Sequence, residues 1–290
     1  MLNIAAIHEA IDAFILTNPT EHYTVHIEKD DRQRPYLGLS QIGHECSRYL
    51  WYQFRHCFKP TFPPRIHRLF RTGDRAEYQF VWLLRGIGCE VFEVGEDGKQ
   101  FSVEDWGGHV RGNSDGVAIF PDKFWLEGSK PHPVLLEFKT ASDAKFKEAV
   151  KLGCEKWNPS YYGQQISYCG YLDLKGSFFA VLNKNDESLY FEYIPWKKAR
   201  FNGYVEKAGD IVGSQQPPER IPNASPSYWN HNTKSGCKYC NAVGLCFAKE
   251  ASQKMCRTCQ FAQPAEDKQW KCLKGREYGI VCEQYKDINK

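Results

Sequence analysis

The sequence predicts an α/β core followed by a small cysteine-rich module. Three observations lead there. The predicted elements run helix, strands, helix, strands, helix. Val134, Leu135 and Leu136 form a continuous apolar run, as carried by a strand covered on both faces. Seven of the twelve cysteines fall after residue 236. At 290 residues the chain can bury a full core and still carry an appendage. With 42% hydrophobic and 25% charged residues it has the composition of an ordinary globular protein.

Residues 3–17 are predicted as an amphipathic helix. Its acids, Glu9 and Asp12, separate it from a signal peptide, and no run approaches the eighteen apolar residues of a membrane span. A cytoplasmic protein with no membrane partner is expected. In 69–86, Phe70, Phe80, Leu83 and Leu84 recur at roughly helical spacing and Gly86 ends the pattern. Arg65, His67, Arg68, Arg71 and Arg75 concentrate positive charge here. A net charge of +3 is too small to imply a nucleic-acid partner, so these residues are read as a solvated helix face.

Strands are predicted at 89–94, 109–120 and 133–140. A helix at 160–174 follows Pro159, two strands within 177–194 flank the polar turn NKNDES, and a last core helix spans roughly 197–212. A Pro- and Asn-rich linker, 215–232, leads to the cysteines. The expected division is a core at 1–214 including the N-terminal helical segment, a linker and cysteine segment at 215–250, and a tail at 251–290.

Glu137 and Lys139 alternate along the 133–140 strand, so they share a face while Phe138 points into the core. Asp115 lies on a neighbouring strand-like segment beside Gly116. Two carboxylates and an amine so placed can hold a hard cation and a nucleophilic water. Magnesium suits such a set, since it binds through one or two carboxylates plus phosphate oxygens and waters. An E-x-K pair alone is most often an exposed ion pair; a lysine on so apolar a strand calls for a further reason.

The segments GHVRGNSDGVAIF, VLLEFKT and YYGQQISYCGYL, in that order, resemble motifs II, III and IV of the RecB-like branch of the PD-(D/E)xK nucleases. The resemblance spans roughly residues 38–250. It implies that family's core, a central mixed sheet flanked by helices, with Mg2+ or Mn2+ held by Asp115, Glu137 and the Phe138 carbonyl. It makes Lys139 the residue that orients water or stabilises the pentacovalent phosphorus. Gln164 and Tyr168 match the family's Q-x-x-x-Y helix, and four residues apart they share a helix face. GDRAEYQFVWLLRG resembles the motif I helix, with Glu77 as the matching acid; Ala76 stands where many relatives carry a histidine.

LSQIGHECSRYLWYQF is similar to the segment that supplies the first cluster cysteine in iron–sulfur members of the family, such as the CRISPR-associated exonucleases and AddB-type nucleases. A 4Fe-4S cluster on Cys46, Cys237, Cys240 and Cys246 is thereby implied, thiolates being the ligands it requires. It would staple distant segments together rather than carry out redox catalysis. Cys256, Cys259, Cys272 and Cys282 give C-x2-C-x12-C-x9-C, suited to a four-thiolate Zn2+ site. A rival partition joins Cys237 and Cys240 to Cys256 and Cys259 across fifteen residues and also makes a zinc site. Cys57, Cys89, Cys154 and Cys169 are read as small apolar core residues.

The expected activity is a Mg2+- or Mn2+-dependent DNA exonuclease acting on ends, in recombination or repair, of a phage or mobile element by analogy. The chain has no Walker A motif to drive unwinding. Alternatives are a structure-specific or single-stranded DNA endonuclease, and a non-cleaving DNA-binding protein on a nuclease fold. The expected partners are DNA, linear or single-stranded, and a recombination or annealing protein. Tyr228, Trp229, Lys234 and Lys238 are read as packing rather than DNA contacts, and the tail as chemically separable from the core.

Overall fold

The computed structural model describes residues 1–17, 33–60, 63–230 and 236–290. Its centre is a five-stranded mixed sheet of β2 (Glu90–Phe92), β5 (Gly116–Ile119), β6 (Val134–Ala141), β7 (Gly176–Asn183) and β8 (Leu189–Pro195), in that spatial order. β6 and β7 pair parallel and the other pairs are antiparallel. Alternation along β6 sends Val134, Leu136 and Phe138 to one face and Leu135, Glu137 and Lys139 to the other.

The first face is covered by α1 (Ile4–Thr17) and α3 (Pro64–Gly86). Ile7, Ile11, Phe80, Leu83 and Leu84 pack there on Leu136, Phe138 and Phe178. The Phe80 and Phe138 rings stack at 5.0 Å. The opposite face carries α4 (Asp143–Trp157), α5 (Pro159–Tyr171) and α6 (Lys198–Gly213), with Phe146 and Ile166 on Phe179 and Val181. Helices on both sides bury β7 along its whole length, which explains its lack of polar alternation.

α3 and α5 start with proline at the first helical position, where no amide hydrogen is needed. Asn158 caps α5, its side chain accepting from the Ser160 and Tyr161 amides. Gly43 and Gly163 let the start of α5 touch the loop before α2 (Ser47–Phe54). A Cβ on Gly43 would stand on the Pro159 carbonyl, and one on Gly163 would stand 2.7 Å from the Gly43 Cα.

Several expectations are revised. The stretch 109–120 is two strands. β4 (Val110–Asn113) joins β1 (Leu37–Gly38) and β3 (Ser102–Asp105) in a separate small sheet, whereas β5 belongs to the large one. The break falls at Ser114 and Asp115, followed by Gly116 at φ +145°. α3 begins earlier than predicted, and Phe70, expected in the core, is 49% exposed. α2, α4 and β3 were not predicted; α4 buries just Phe146, Ala149 and Cys154, too sparse a stripe to read, and it breaks at Gly153.

The tail holds α7 (Val243–Phe247) in its approach, then a hairpin of β9 (Ala262–Pro264) and β10 (Trp270–Cys272). It does not stand apart from the core. Trp270, Ala262 and Ile288 share an apolar cluster with Leu50, Trp51, Phe54 and Val110. Arg257 is buried between the Phe54 and Trp270 rings and donates to the Phe54 carbonyl at 2.7 Å and the Pro35 carbonyl at 2.9 Å. Fully buried Arg55 donates back to the Ala262 carbonyl at 3.0 Å. Burial lowers the pKa of both guanidiniums to about 10. Trp270 is thus part of the interface between tail and core.

Candidate active site

The break between β4 and β5 turns Asp115 toward β6, where its Oδ2 accepts the Phe138 amide at 2.8 Å. Glu137 is fully buried. One of its oxygens meets the Lys139 ammonium, and the other accepts from Gln164 Nε2 at 2.8 Å. Lys139 keeps 21% of its side chain exposed, donates to the Phe138 carbonyl at 3.0 Å and lies 5.2 Å from the centre of the Tyr161 ring. Asp115, Glu137, Lys139 and Gln164 are therefore one contiguous group from the β4–β5 break, β6 and α5.

The electrostatics follow from burial and crowding. Removal from water raises the pKa of Glu137; Lys139 opposes the rise, and the Asp115 and Glu77 carboxylates add to it. For Lys139 burial works against the charge, but Glu137 and Asp115 outweigh it and the pKa is raised. Burial thus works against the charge on Glu137, while its carboxylate favours the charge on Lys139.

This group opens on a cavity of about 1070 Å3 lined by Asp115, Lys139, Gln164 and Tyr168. α3 adds Asp74, Glu77 and Tyr78 to its wall. Sequence reasoning singled out Glu77 but missed Asp74, which is three residues earlier on the same helix. Ala76 points away into the apolar core. Tyr168 is buried against Gly112 of β4, where no larger residue would fit. Tyr161 was also missed; its signal was position, one turn before Gln164 on the same helix. Trp229, assigned to packing from the sequence, lines the cavity, as does Tyr239, which is 70% exposed. Lys234 lies outside the described residues.

Cys46, Cys237 and Cys240 line the same cavity, although Cys237 and Cys240 follow the carboxylates by about a hundred residues in the chain. Burial raises the pKa of all three thiols, and each also feels Cys246. Cys46 sits at the start of α2, with the Tyr49 amide 3.4 Å from its sulfur. The Ala242 amide points at Cys240 and Arg220 Nε at Cys246, both at 3.4 Å. In the tail, Cys256, Cys259, Cys272 and Cys282 together line one small pocket with Phe261, Tyr278 and Ile280. Cys57, Cys89, Cys154 and Cys169 are buried elsewhere. Among the described residues no three His, Cys, Asp or Glu side chains already stand close enough to form a metal-holding group.

No helix among the described residues is long and apolar enough to cross a membrane. No family model matches the chain, and no curated protein matches it. Among solved structures, it is similar to LHK-Exo, an alkaline exonuclease from Laribacter hongkongensis, with a TM-score of 0.41 and 14% identity over 61% of this chain and 86% of that one. The same enzyme in complex with dAMP gives a TM-score of 0.44 at 14% identity, covering 62% and 87%. The structure of SSO0001 overlaps at a TM-score of 0.39 and 15% identity, covering 84% of this chain and 96% of that one. These overlaps are loose, and the site is assigned on its own residues.

Proposed function

We propose that this chain is a metal-dependent DNA nuclease of the RecB-like PD-(D/E)xK type, acting as an exonuclease on DNA ends. The observation that carries the proposal is the contact set of Glu137, bounded by Lys139 and Gln164 beside Asp115 on a large open cavity. An exposed Glu–Lys pair would have none of this burial, and a simple DNA binder has no use for a buried carboxylate beside phosphate.

The residues fit a hard divalent cation. The Lys139 ammonium already bridges Glu137 and the Phe138 carbonyl, so both oxygens are disposed to receive positive charge. Asp115, Glu137 and the Phe138 carbonyl would hold Mg2+ or Mn2+, which when bound acidifies a water and screens charge developing on phosphorus. Lys139 orients the attacking water and stabilises the pentacovalent oxygens. Gln164 fixes the Glu137 carboxylate, Tyr168 anchors that helix to β4, and Glu77 contributes negative charge from α3.

The cysteines support two structural sites. Cys46, Cys237 and Cys240 line one cavity, and amide and guanidinium donors are aimed at Cys46, Cys240 and Cys246; drawn closer together than they stand here, the four thiolates would hold a 4Fe-4S cluster. Cys256, Cys259, Cys272 and Cys282 surround one pocket, which suits zinc. This favours the cluster-plus-zinc partition over the rival pairing.

The test is cleavage of end-labelled linear DNA with Mg2+ or Mn2+, with closed circular single-stranded DNA as the comparison. Metal-dependent release of mononucleotides or short oligonucleotides from linear DNA alone is expected. Cleavage of the circle would establish an endonuclease, and metal-dependent binding without any cleavage would overturn the enzyme.

A further inference from the structure

The basic cluster at the start of α3 has no place in the chemistry above, yet the fold puts one of its members, Arg65, in a groove that adjoins the active site. A second groove, of about 630 Å3, lies across Tyr161 from the catalytic cavity. Asn158, Ser160, Tyr161, His44 and Glu45 line both spaces, so they form a shared wall between two parts of one surface.

Three cations from three elements meet in this groove: Arg65 from α3, Lys145 from α4 and Lys184 from the β7–β8 turn. Among its described lining residues there is one acid, Glu45. Lys145 also pairs with Glu148 at 3.2 Å, an exposed i,i+3 contact weak enough to exchange for a phosphate. α4 begins at the groove, since the preceding residue, Ser142, lines it, and the positive end of the helix dipole faces the same space.

α3 connects the two spaces. Arg65, Leu69, Gly73 and Glu77 are spaced by four and so lie along one helix face. Arg65 and Leu69 line the groove, Glu77 lines the cavity, and among the described residues a Cβ on Gly73 between them would meet nothing within 4 Å. From Arg65 to Glu77 the helix rises about 18 Å, roughly five stacked nucleotides at about 3.4 Å each. This helix face runs from Arg65 in the groove to Glu77 in the catalytic cavity.

We infer that a single DNA strand bound for cleavage continues from the catalytic cavity over Tyr161 into this groove, where Arg65, Lys145 and Lys184 hold its phosphates several nucleotides from the cut. The inference rests on the nuclease reading for its substrate and extends it to a remote backbone-binding site.

The test uses the whole 290-residue chain, metal-loaded, and a triple variant, Arg65→Gln, Lys145→Gln and Lys184→Gln. Affinity for oligo-dT of thirty and of four nucleotides is measured with Ca2+ as salt is varied, and cleavage of both is measured with Mg2+. Neutralising three phosphate contacts on a single strand should reduce the slope of log affinity against log salt by about 2 and weaken binding of the long strand on the order of 50-fold at 0.15 M salt. The tetranucleotide should bind and react as with the parent. An unchanged slope for the long strand would overturn the groove, as would equal loss on both lengths. If the parent cuts neither substrate but the slope still falls, the groove stands and the nuclease reading is the one that fails.

Discussion

Replacing Gln164 by alanine removes the donor that, among the described residues, reaches the far oxygen of Glu137. That carboxylate is fully buried, and its described partners are Lys139 on one oxygen and Gln164, at 2.8 Å, on the other. A hydrogen bond to a charged group contributes about 1.5–3 kcal/mol. Its loss penalises the ionised form specifically, because the neutral acid needs the amide less. Burial already raises this pKa, so the variant raises it further. At about 1.4 kcal/mol per pH unit, the acid limb of the pH–rate profile should move up by about 1–2 pH units. Below that limb the proton competes better with the cation, so the half-saturating Mg2+ concentration should rise about 10–100-fold, as for other residues that orient a metal ligand. The assay is initial cleavage rate against pH and against Mg2+. Gln165→Ala is the control: it is equally buried in the same helix but bonds Ser177, Cys154 and the Tyr161 carbonyl instead of Glu137. A Gln164→Ala enzyme with the parental limb and the parental Mg2+ requirement would refute the role given to this contact, as would an identical shift in the control.

Asp115→Ala, Glu137→Ala and Lys139→Ala should each abolish cleavage while the protein remains folded by circular dichroism, since each removes a group that touches cation or phosphate; substantial turnover in folded Lys139→Ala would remove it from the site. Tyr161→Leu should lower kcat through loss of the ring against the Lys139 ammonium, with Tyr161→Phe restoring it; equal rates for both would assign the ring to packing. Protein purified without oxygen should contain about four irons, and Cys46→Ser should lose them despite its distance in sequence; protein with two zincs and no iron would overturn the cluster. Trp270→Ala should destabilise the whole chain by about 3–5 kcal/mol, read as a lowered thermal midpoint of cleavage as well as of unfolding, because the ring is buried between tail and core; unchanged thermal inactivation would make the tail separable after all.

From the sequence alone the α/β class followed, because Val134–Leu136 could be buried only between two layers and helical periodicity stood on either side. The pairing of Glu137 with Lys139 on one face also followed, because strand alternation is strictly local. The spacing of Gln164 and Tyr168 was legible for the same reason. Tertiary structure decided what local periodicity cannot encode. Asp115 reaches Phe138 because 109–120 breaks between two sheets, and a break of only two residues, Ser114 and Asp115, leaves the hydrophobic pattern of one strand intact. Asp74 and Tyr161 join the cavity through the packing angles of α3 and α5, which no residue count within a helix reveals. The tail reads as an appendage because its cysteines are closely spaced and its apolar residues few. The arginines that anchor it, Arg55 and Arg257, lie about two hundred residues apart and are conspicuous only once Arg55 donates to the Ala262 carbonyl, Arg257 donates to the Phe54 and Pro35 carbonyls, and both lie over the Trp270 ring.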